Sequence, residues 1–377
     1  MSTKVKNIVL TVLMAALFLG LFGWNILKED STYLYGERRE PATFPELTLE
    51  RVISGKFMEE FKDYTLDQFP VRDTFRSIKA VFSHYVFMNM DNNDVILEDG
   101  HISKLEYQLK DEMLDYAADR FGYIYKNMIE GTGSKVYLSV VPDKNLFLAE
   151  KGGYLSIDYN ALASFMQERM DYAEYIDIMP LLSADDYYYT DSHWKQENIV
   201  DVAEHIATSM GVPFSDDFNV NTFETPFYGT YYGQAALPFI KPDTIKYLTN
   251  SAIENCTVTG VDGYGKDVPM QVYDTVRGSD KDPYEFFLSG NQPFITITNP
   301  ENKSGKELVV FRDSFGSSLS PLLIQSYSKI SVVDIRYLNP MALKSFVLWN
   351  KLSFENADVL FIYSSILLNS SITAGMK

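Results

Sequence analysis

Cysteine is almost absent from this sequence of 377 residues. The single Cys256 excludes a disulfide framework, a thiolate zinc site or an iron–sulfur site built within one chain. There are only four histidines, and no cluster of His and Asp has the spacing of metal ligands. A glycine-rich phosphate loop is also missing. The sequence therefore indicates no metal site, and we expect no cofactor.

Positive charge is scarce as well. The chain has 33 Lys and Arg against 51 Asp and Glu, for a formal net charge of −18. An acidic surface repels phosphate backbones, so nucleic acid is excluded as an expected partner. Hydrophobic residues make up 46% of the chain and charged residues 22%, which is enough apolar material for a globular core.

Only one apolar run is long. Residues 8–27 carry no charge, and about twenty such residues can cross a bilayer as a helix. Lys4 and Lys6 precede the run, which favours a cytoplasmic N-terminus. A cleaved signal peptide is the alternative, but its apolar region is usually shorter and no small-x-small cleavage site is evident. We expect an uncleaved single-pass anchor at residues 1–28 in the cell membrane, with residues 29–377 outside the cytoplasm.

The rest of the chain has three parts. Residues 29–50 are polar and predict a linker, and residues 51–377 predict one catalytic domain. Within that domain, residues 214–300 are rich in Gly, Pro, Tyr and Thr and predict an insertion of strands and loops. Four apolar runs of strand length, separated by helical patterns, lie at 135–141, 307–311, 329–337 and 358–363. This alternation predicts an α/β fold, a mostly parallel sheet with helices on both faces.

The stretch "ELVVFRDSFGSSL" places a serine where one of these strands meets a helix. The strand at 307–311 runs into Arg312, Asp313 and Ser314, and a helix follows. A serine on such a turn exposes its hydroxyl group near backbone N–H groups that can stabilise an oxyanion. The G-x-S-x-G pattern is not met, because Arg312 replaces its first glycine. The alternative is that Asp313 and Ser314 only cap the helix.

The stretch "YYYTDSHWKQEN" at residues 187–198 supplies the groups that a nucleophilic serine needs. His193 can accept the proton of Ser314, and Asp191 can orient the imidazole. In an extended segment both side chains point to the same side. A helical pattern begins at Ile199, so we expect the pair just ahead of a helix N-terminus, whose dipole favours neutral imidazole. The alternative is that Asp191 caps this helix and His193 has no role.

Five further residues are candidates for binding substrate. Lys144 and Asn145 follow the first strand and lie at the reactive end of the sheet, although an ordinary turn is the alternative. Tyr228 and Tyr232 lie in the Tyr-rich stretch "FYGTYYGQAALP", which suits sugar rings or, alternatively, forms a core strand. Arg312, close to the serine, completes the set.

Several of these stretches together resemble a known family. The sequence resembles the DHHW proteins of Gram-positive bacteria and, beyond them, the alginate O-acetyltransferase proteins of the AlgX and AlgJ type, which have SGNH-hydrolase-like domains. The matching stretches occur in family order over about residues 45–365: "DQFPVRD", "NDVILEDGHI", "VPDKN", "YYTDSHW", "FYGTYYG" and "FRDSFGSSLSPLL". The resemblance implies an SGNH-hydrolase-like three-layer sandwich.

The resemblance also implies a catalytic triad, in which Ser314 is the nucleophile, His193 the base and Asp191 the orienting acid. The sequence departs from the family at two positions. Ser192 stands where DHHW proteins have the first histidine of their His-His-Trp run. Arg312 stands where the alginate enzymes often have glycine.

The activity that follows from the resemblance is O-acyl transfer. We expect a membrane-anchored, extracytoplasmic O-acetyltransferase that modifies an exported or cell-surface polysaccharide. A multipass membrane O-acyltransferase is implied as the source of the acetyl group. A carbohydrate acetylesterase with the same triad is the first alternative, and a non-catalytic surface or assembly protein is the second.

Overall fold

The computed structural model describes residues 2–89, 91–262 and 264–370. These residues form two compact units. The first unit contains the described residues up to 92 together with 232–239, and the second contains 93–231 and the described residues from 240 onward.

Fourteen α-helices lie in the described part of the chain. They are α1 (Thr3–Leu27), α2 (Leu49–Ile53), α3 (Lys56–Asp67), α4 (Arg72–Val81), α5 (Asp111–Ile124), α6 (Asn145–Gly152), α7 (Tyr159–Arg169), α8 (Val200–Ser209), α9 (Thr230–Ala235), α10 (Ser251–Asn255), α11 (Thr275–Gly278), α12 (Phe315–Leu323), α13 (Leu343–Leu348) and α14 (Ser365–Leu368). Short π-helical turns extend α4 and α5, at Phe82–Val86 and Tyr125–Ile129.

The first unit contains the long apolar helix and three shorter helices. Helix α1 has 25 residues with a mean hydropathy of 2.2 over its most apolar window, and none of that window is buried. It is long and apolar enough to span a membrane. At its end, Lys28 donates to Gln68 Oε1 (3.3 Å), and Asp67 at the end of α3 accepts two hydrogen bonds of 2.6 Å from Arg39.

Twelve β-strands lie in the described residues. They are β1 (Val95–Glu98), β2 (His101–Lys104), β3 (Lys135–Val141), β4 (Glu174–Tyr175), β5 (Asn219–Phe227), β6 (Asp243–Thr249), β7 (Thr257–Val261), β8 (Asp267–Met270), β9 (Phe294–Thr298), β10 (Glu307–Arg312), β11 (Lys329–Val333) and β12 (Asp358–Ser364). Strands β1 and β2 form a hairpin, and β5 pairs with β6 in a second antiparallel pair.

The second unit is built on an eight-stranded sheet in the order β4-β3-β12-β10-β11-β9-β7-β8. The pairs from β4 to β11 are parallel, and the three strands beyond β11 pair antiparallel. The four strands predicted from the apolar runs are β3, β10, β11 and β12. The predicted α/β class with a mostly parallel sheet is therefore confirmed.

Helices cover both faces of this sheet, and its inner strands are therefore buried on both sides. Along β10, Leu308 and Val310 pack on one face against buried side chains of α8 and α12. Val309 and Phe311 alternate with them and pack on the other face against α5, α7 and α13. This period of two produces the three-layer arrangement that was expected.

The segment predicted as an insertion, residues 214–300, contains β5 to β9. Strands β5 and β6 pair outside the central sheet, whereas β7, β8 and β9 form its antiparallel edge. Part of this segment is thus continuous with the sheet. The domain boundaries given above remain predictions.

Candidate active site

Ser314 lies where β10 meets α12, as the strand pattern predicts. It occupies the N-cap position of α12, but its side chain makes no capping hydrogen bond. The carboxylate of Asp313 caps the helix instead, because Oδ1 accepts from Phe315 N (3.0 Å) and Oδ2 accepts from Ser364 N (2.8 Å) at the end of β12. Asp313 thus accepts from the backbone N–H groups around the turn, and the hydroxyl group of Ser314 is not needed as a helix cap.

Asp191 and His193 lie in a tight loop rather than in an extended segment. An antiparallel bridge joins Tyr187 to Trp194, and Tyr188 N donates to the carbonyl oxygen of His193 (3.0 Å). Between these contacts the chain reverses direction. The reversal brings both side chains to one side, although the predicted extended geometry was wrong.

The helix after the loop begins where the sequence pattern predicts, with Ile199 at its N-cap. A 3₁₀ turn at Gln196–Asn198 follows the loop, and α8 begins at Val200. The field of a helix dipole acts mainly within the first turn. An effect of this dipole on His193 therefore remains a prediction, whereas the neighbouring groups that orient the imidazole are seen directly.

The three predicted catalytic side chains form a continuous hydrogen-bonded series. His193 Nε2 lies 2.7 Å from Ser314 Oγ, and His193 Nδ1 lies 2.5 Å from Asp191 Oδ1. Asp191 is fully buried, and its Oδ2 accepts from Thr230 N (2.8 Å). A proton on Nδ1 is held by the carboxylate, so Nε2 is left as the acceptor for the hydroxyl proton of Ser314. This arrangement can generate a serine nucleophile.

A single tyrosine ring packs against the imidazole of His193 and fixes its plane. The ring of Tyr284 stacks on His193, with centroids 3.8 Å apart and planes at 8°. The Tyr284 hydroxyl group lies 2.9 Å from Ser318 Oγ, which also accepts from Trp194 Nε1 (2.8 Å). Because Ser318 belongs to α12, the same helix that carries Ser314 positions the ring against His193. Nothing near Tyr284 in the sequence marks this role.

Lys144 and Asn145, predicted to bind substrate, are both buried at the carboxyl end of β3. The Lys144 ammonium donates to the carbonyl oxygens of Tyr188 (2.8 Å), Tyr189 (3.3 Å) and Asp191 (2.7 Å). Burial lowers the pKa of Lys144 to about 8, with nearby carboxylates opposing the shift. Lys144 is therefore directly connected to the loop that carries the acid and the base.

Arg312 is also fully buried. Its guanidinium pairs with Asp334 Oδ2 (3.2 Å), which also accepts from Arg336. The side chain passes beside Gly316, where an added Cβ would lie 2.5 Å from Arg312 Cβ. An ion pair at the ends of β10 and β11 thus partners one nitrogen of this buried guanidinium group.

The two tyrosines predicted to bind substrate lie in different units. Tyr228 belongs to the second unit and is 41% exposed, whereas Tyr232 belongs to the first. The five substrate-binding assignments remain predictions. Within the described ranges, no three His, Cys, Asp or Glu side chains are grouped so as to hold a metal ion.

Comparisons with known proteins find matches among solved structures. No family model matches the chain, and no curated protein matches it. A DHHW family protein from Eubacterium siraeum is 22% identical, with a TM-score of 0.59 over 76% of this chain and 95% of that protein. PatB1 of Bacillus cereus, solved with a sulfonyl adduct, is 16% identical, with a TM-score of 0.57 over 73% and 94%. The O-acetyltransferase domain of Pseudomonas putida AlgJ is 14% identical, with a TM-score of 0.42 over 73% and 92%.

The first two of these structures share the fold of this chain. Structural neighbours thus include a DHHW family protein, as the sequence resemblance predicted.

Proposed function

We propose that this chain is a membrane-anchored O-acyltransferase that moves an acetyl group through Ser314 onto an exported or cell-surface polysaccharide. The observation that carries the proposal is the series Asp191–His193–Ser314, with 2.5 Å at its first link and 2.7 Å at its second. The fold shared with a DHHW family protein and the length and hydropathy of helix α1 are consistent with it.

The first half-reaction acetylates the enzyme. His193 Nε2 accepts the hydroxyl proton as Ser314 Oγ attacks the carbonyl carbon of the acetyl donor. The resulting oxyanion needs a donor, and we assign the N–H of Ser314 itself at the start of α12, because Phe315 N and Gly316 N already donate to Asp313. Collapse of this intermediate expels the donor, which takes the proton from His193.

The second half-reaction passes the acetyl group on. His193 accepts the proton of an acceptor hydroxyl group, whose oxygen attacks the acetyl-serine carbonyl, and Ser314 then recovers its proton. Because activated acetyl groups are made in the cytoplasm, we propose a multipass membrane O-acyltransferase as the donor to a domain outside the membrane. Water can replace the sugar hydroxyl in this step, which would give an acetylesterase.

The test uses the full-length protein in detergent with an activated acetyl ester and an acceptor oligosaccharide. We expect acetylation of Ser314 by mass spectrometry and transfer of acetyl to the oligosaccharide. A sulfonyl fluoride should modify the same serine, a reagent chosen because PatB1 was solved with a sulfonyl adduct. Ser314→Ala should abolish all three reactions. Ser320→Ala is the matched control, since Ser320 of the same helix only donates to the Gly316 carbonyl oxygen.

The outcomes separate the candidate functions. Transfer products support the acyltransferase, whereas free acetate in the presence of acceptor indicates the esterase. Wild-type turnover and acetylation by Ser314→Ala would overturn the mechanism. A cellular phenotype that survives substitution of all three residues would favour the non-catalytic surface protein.

A further inference from the structure

In the loop that carries the acid and the base, the Tyr187–Trp194 bridge and the hydrogen bond from Tyr188 N to the carbonyl oxygen of His193 join the two ends. The loop connects Tyr187 to Trp194, and it lies outside any helix or strand. Tyr188, Thr190 and Asp191 are fully buried. Buried backbone groups need hydrogen-bond partners, so the groups between the two ends need further contacts.

Lys144 donates to three carbonyl oxygens of the loop, of which that of Tyr189 also accepts from Ile102 N (2.8 Å). Its three hydrogen bonds, to the carbonyl oxygens of Tyr188, Tyr189 and Asp191, use all three protons of an ammonium group. The side chain is 0% exposed, and its Nζ lies 5.3 Å from the centre of the Tyr231 ring. These contacts direct all three N–H groups of the ammonium toward the loop.

Asp243, at the start of β6, satisfies the amide side of the same loop. Its Oδ1 accepts from Tyr189 N (2.9 Å), and its Oδ2 accepts from Thr190 N (2.8 Å) and Thr190 Oγ1 (2.6 Å). Asp243 as a whole residue is 7% exposed. The Lys144 ammonium therefore donates to carbonyl oxygens of the loop, and the Asp243 carboxylate accepts from N–H groups of neighbouring peptides.

We propose that Lys144 and Asp243 are a pair of positioning residues that hold the loop so that Asp191 and His193 face Ser314. Neither side chain touches the reacting atoms in this arrangement. Their opposite charges bind opposite ends of the peptide dipoles, which fixes the loop in both position and rotation. The activity readout of this proposal rests on the proposed acyl transfer, but the loop geometry does not.

The experiment compares full-length wild-type protein with Lys144→Met, which removes the charge and keeps a similar length. The direct readout is the downfield proton resonance of His193 Nδ1–H, because a hydrogen bond to the Asp191 carboxylate shifts that proton. We expect the resonance to move or disappear. We also expect kcat for the activated ester, and the rate of sulfonylation at Ser314, to fall about 100-fold with little change in KM, as for misplacement of a catalytic group by about 1 Å.

Two variants keep the experiment decisive. Lys135→Met is the matched control, because Lys135 is exposed at the opposite end of β3 and should leave resonance and rate unchanged. Asp243→Asn preserves the shape of the side chain. If Lys144→Met does not fold, we expect Asp243→Asn to show the same change in the His193 resonance and the same fall in rate. A folded Lys144→Met or Asp243→Asn with the wild-type resonance and rate would overturn the proposal. Wild-type protein that shows the resonance but transfers no acetyl would refute the function and leave the positioning role measurable.

Discussion

At the scale of single residues, Asp191 is the group whose chemistry is most constrained. Its two oxygens accept from three N–H groups, those of Thr230, His193 and the imidazole Nδ1. An asparagine offers one acceptor oxygen, and its NH₂ group would face an N–H wherever it points. The favoured response is for Nδ1 to lose its proton to Nε2, which can then no longer accept from Ser314.

We therefore expect Asp191→Asn to lower kcat by about 10⁴-fold, the scale seen when a serine-hydrolase aspartate is replaced. The measurement is hydrolysis or transfer of an activated acetyl ester, with thermal unfolding followed alongside. Asp185→Asn is the control, because Asp185 is exposed in the preceding segment. A loss of less than about tenfold, or about 1.4 kcal/mol of activation free energy, would contradict an orienting role.

Lys144 should make activity and stability respond to pH in opposite directions. Burial lowers its pKa from 10.5 to about 8; Asp143, Asp191 and Asp243 oppose the shift, and Lys195 adds to it. Between these values the folded protein has released a proton that the unfolded chain retains. The free energy of unfolding should therefore rise with pH, by up to about 3 kcal/mol from this residue. The neutral amine has lost one hydrogen bond to the loop, so the reaction at Ser314 should slow over the same range.

The measurement compares wild type with Lys144→Met from about pH 7 to pH 10, since the difference removes the titration of the tyrosines. Denaturant midpoints give the stability and the rate of sulfonylation gives the activity. If the difference in stability does not rise with pH, Lys144 is not a buried cation. If the sulfonylation rate of wild type does not decline with rising pH relative to that of Lys144→Met, the charge of Lys144 does not support the loop.

At the scale of structural elements, the approach of the 227–230 segment to the Asp191 loop depends on one glycine. A Cβ added to Gly229 would lie 2.3 Å from Asp191 Cβ and 2.3 Å from the carbonyl oxygen of Thr190. Gly229 N also donates to Thr190 Oγ1 (2.9 Å). A side chain at this position must push the two segments apart and weaken the hydrogen bond from Thr230 N to Asp191.

We expect Gly229→Ala to reduce the free energy of unfolding by about 1–3 kcal/mol, as overpacking does. Activity should fall further than stability explains, because Asp191 loses a partner. Gly122→Ala is the control, since an added Cβ in α5 meets no atom within 4 Å and helix propensity favours alanine by about 1 kcal/mol. Wild-type stability in Gly229→Ala would show that the two segments can separate without cost.

The elements also show what sequence patterns can and cannot predict. Strands such as β10 and β12 were predictable because strands buried on both faces are continuous apolar runs. Ser314 was predictable because it lies just beyond the end of such a run, at the start of a helical pattern. The loop around His193 was not, since its shape depends on Lys144 and Asp243, which are distant in sequence, and no local pattern links either residue to the loop. The stacking of Tyr284 on His193 has the same long-range origin.

At the scale of the whole molecule, the proposed function needs the second unit outside the cytoplasm. Helix α1 is compatible with a membrane anchor in length and hydropathy. Lys4 and Lys6 precede its apolar part, which favours a cytoplasmic N-terminus. Replacing Leu13 and Leu17 with arginine places two charges near the centre of the span. We expect this pair of changes to release the protein from membranes under alkaline extraction, because each charge costs about 2.5–3.5 kcal/mol there.

The direction of insertion can be read with single cysteines, because Cys256 is the only native one. In a Cys256→Ser background, Ser279→Cys places a thiol at an exposed position of the second unit. A membrane-impermeant maleimide should label it in intact cells. Ser2→Cys, on the other side of α1, should be labelled only after lysis. The reverse pattern would place the domain in the cytoplasm, where an exported polysaccharide is out of reach, and the proposed acceptor would be wrong even if the serine chemistry were right.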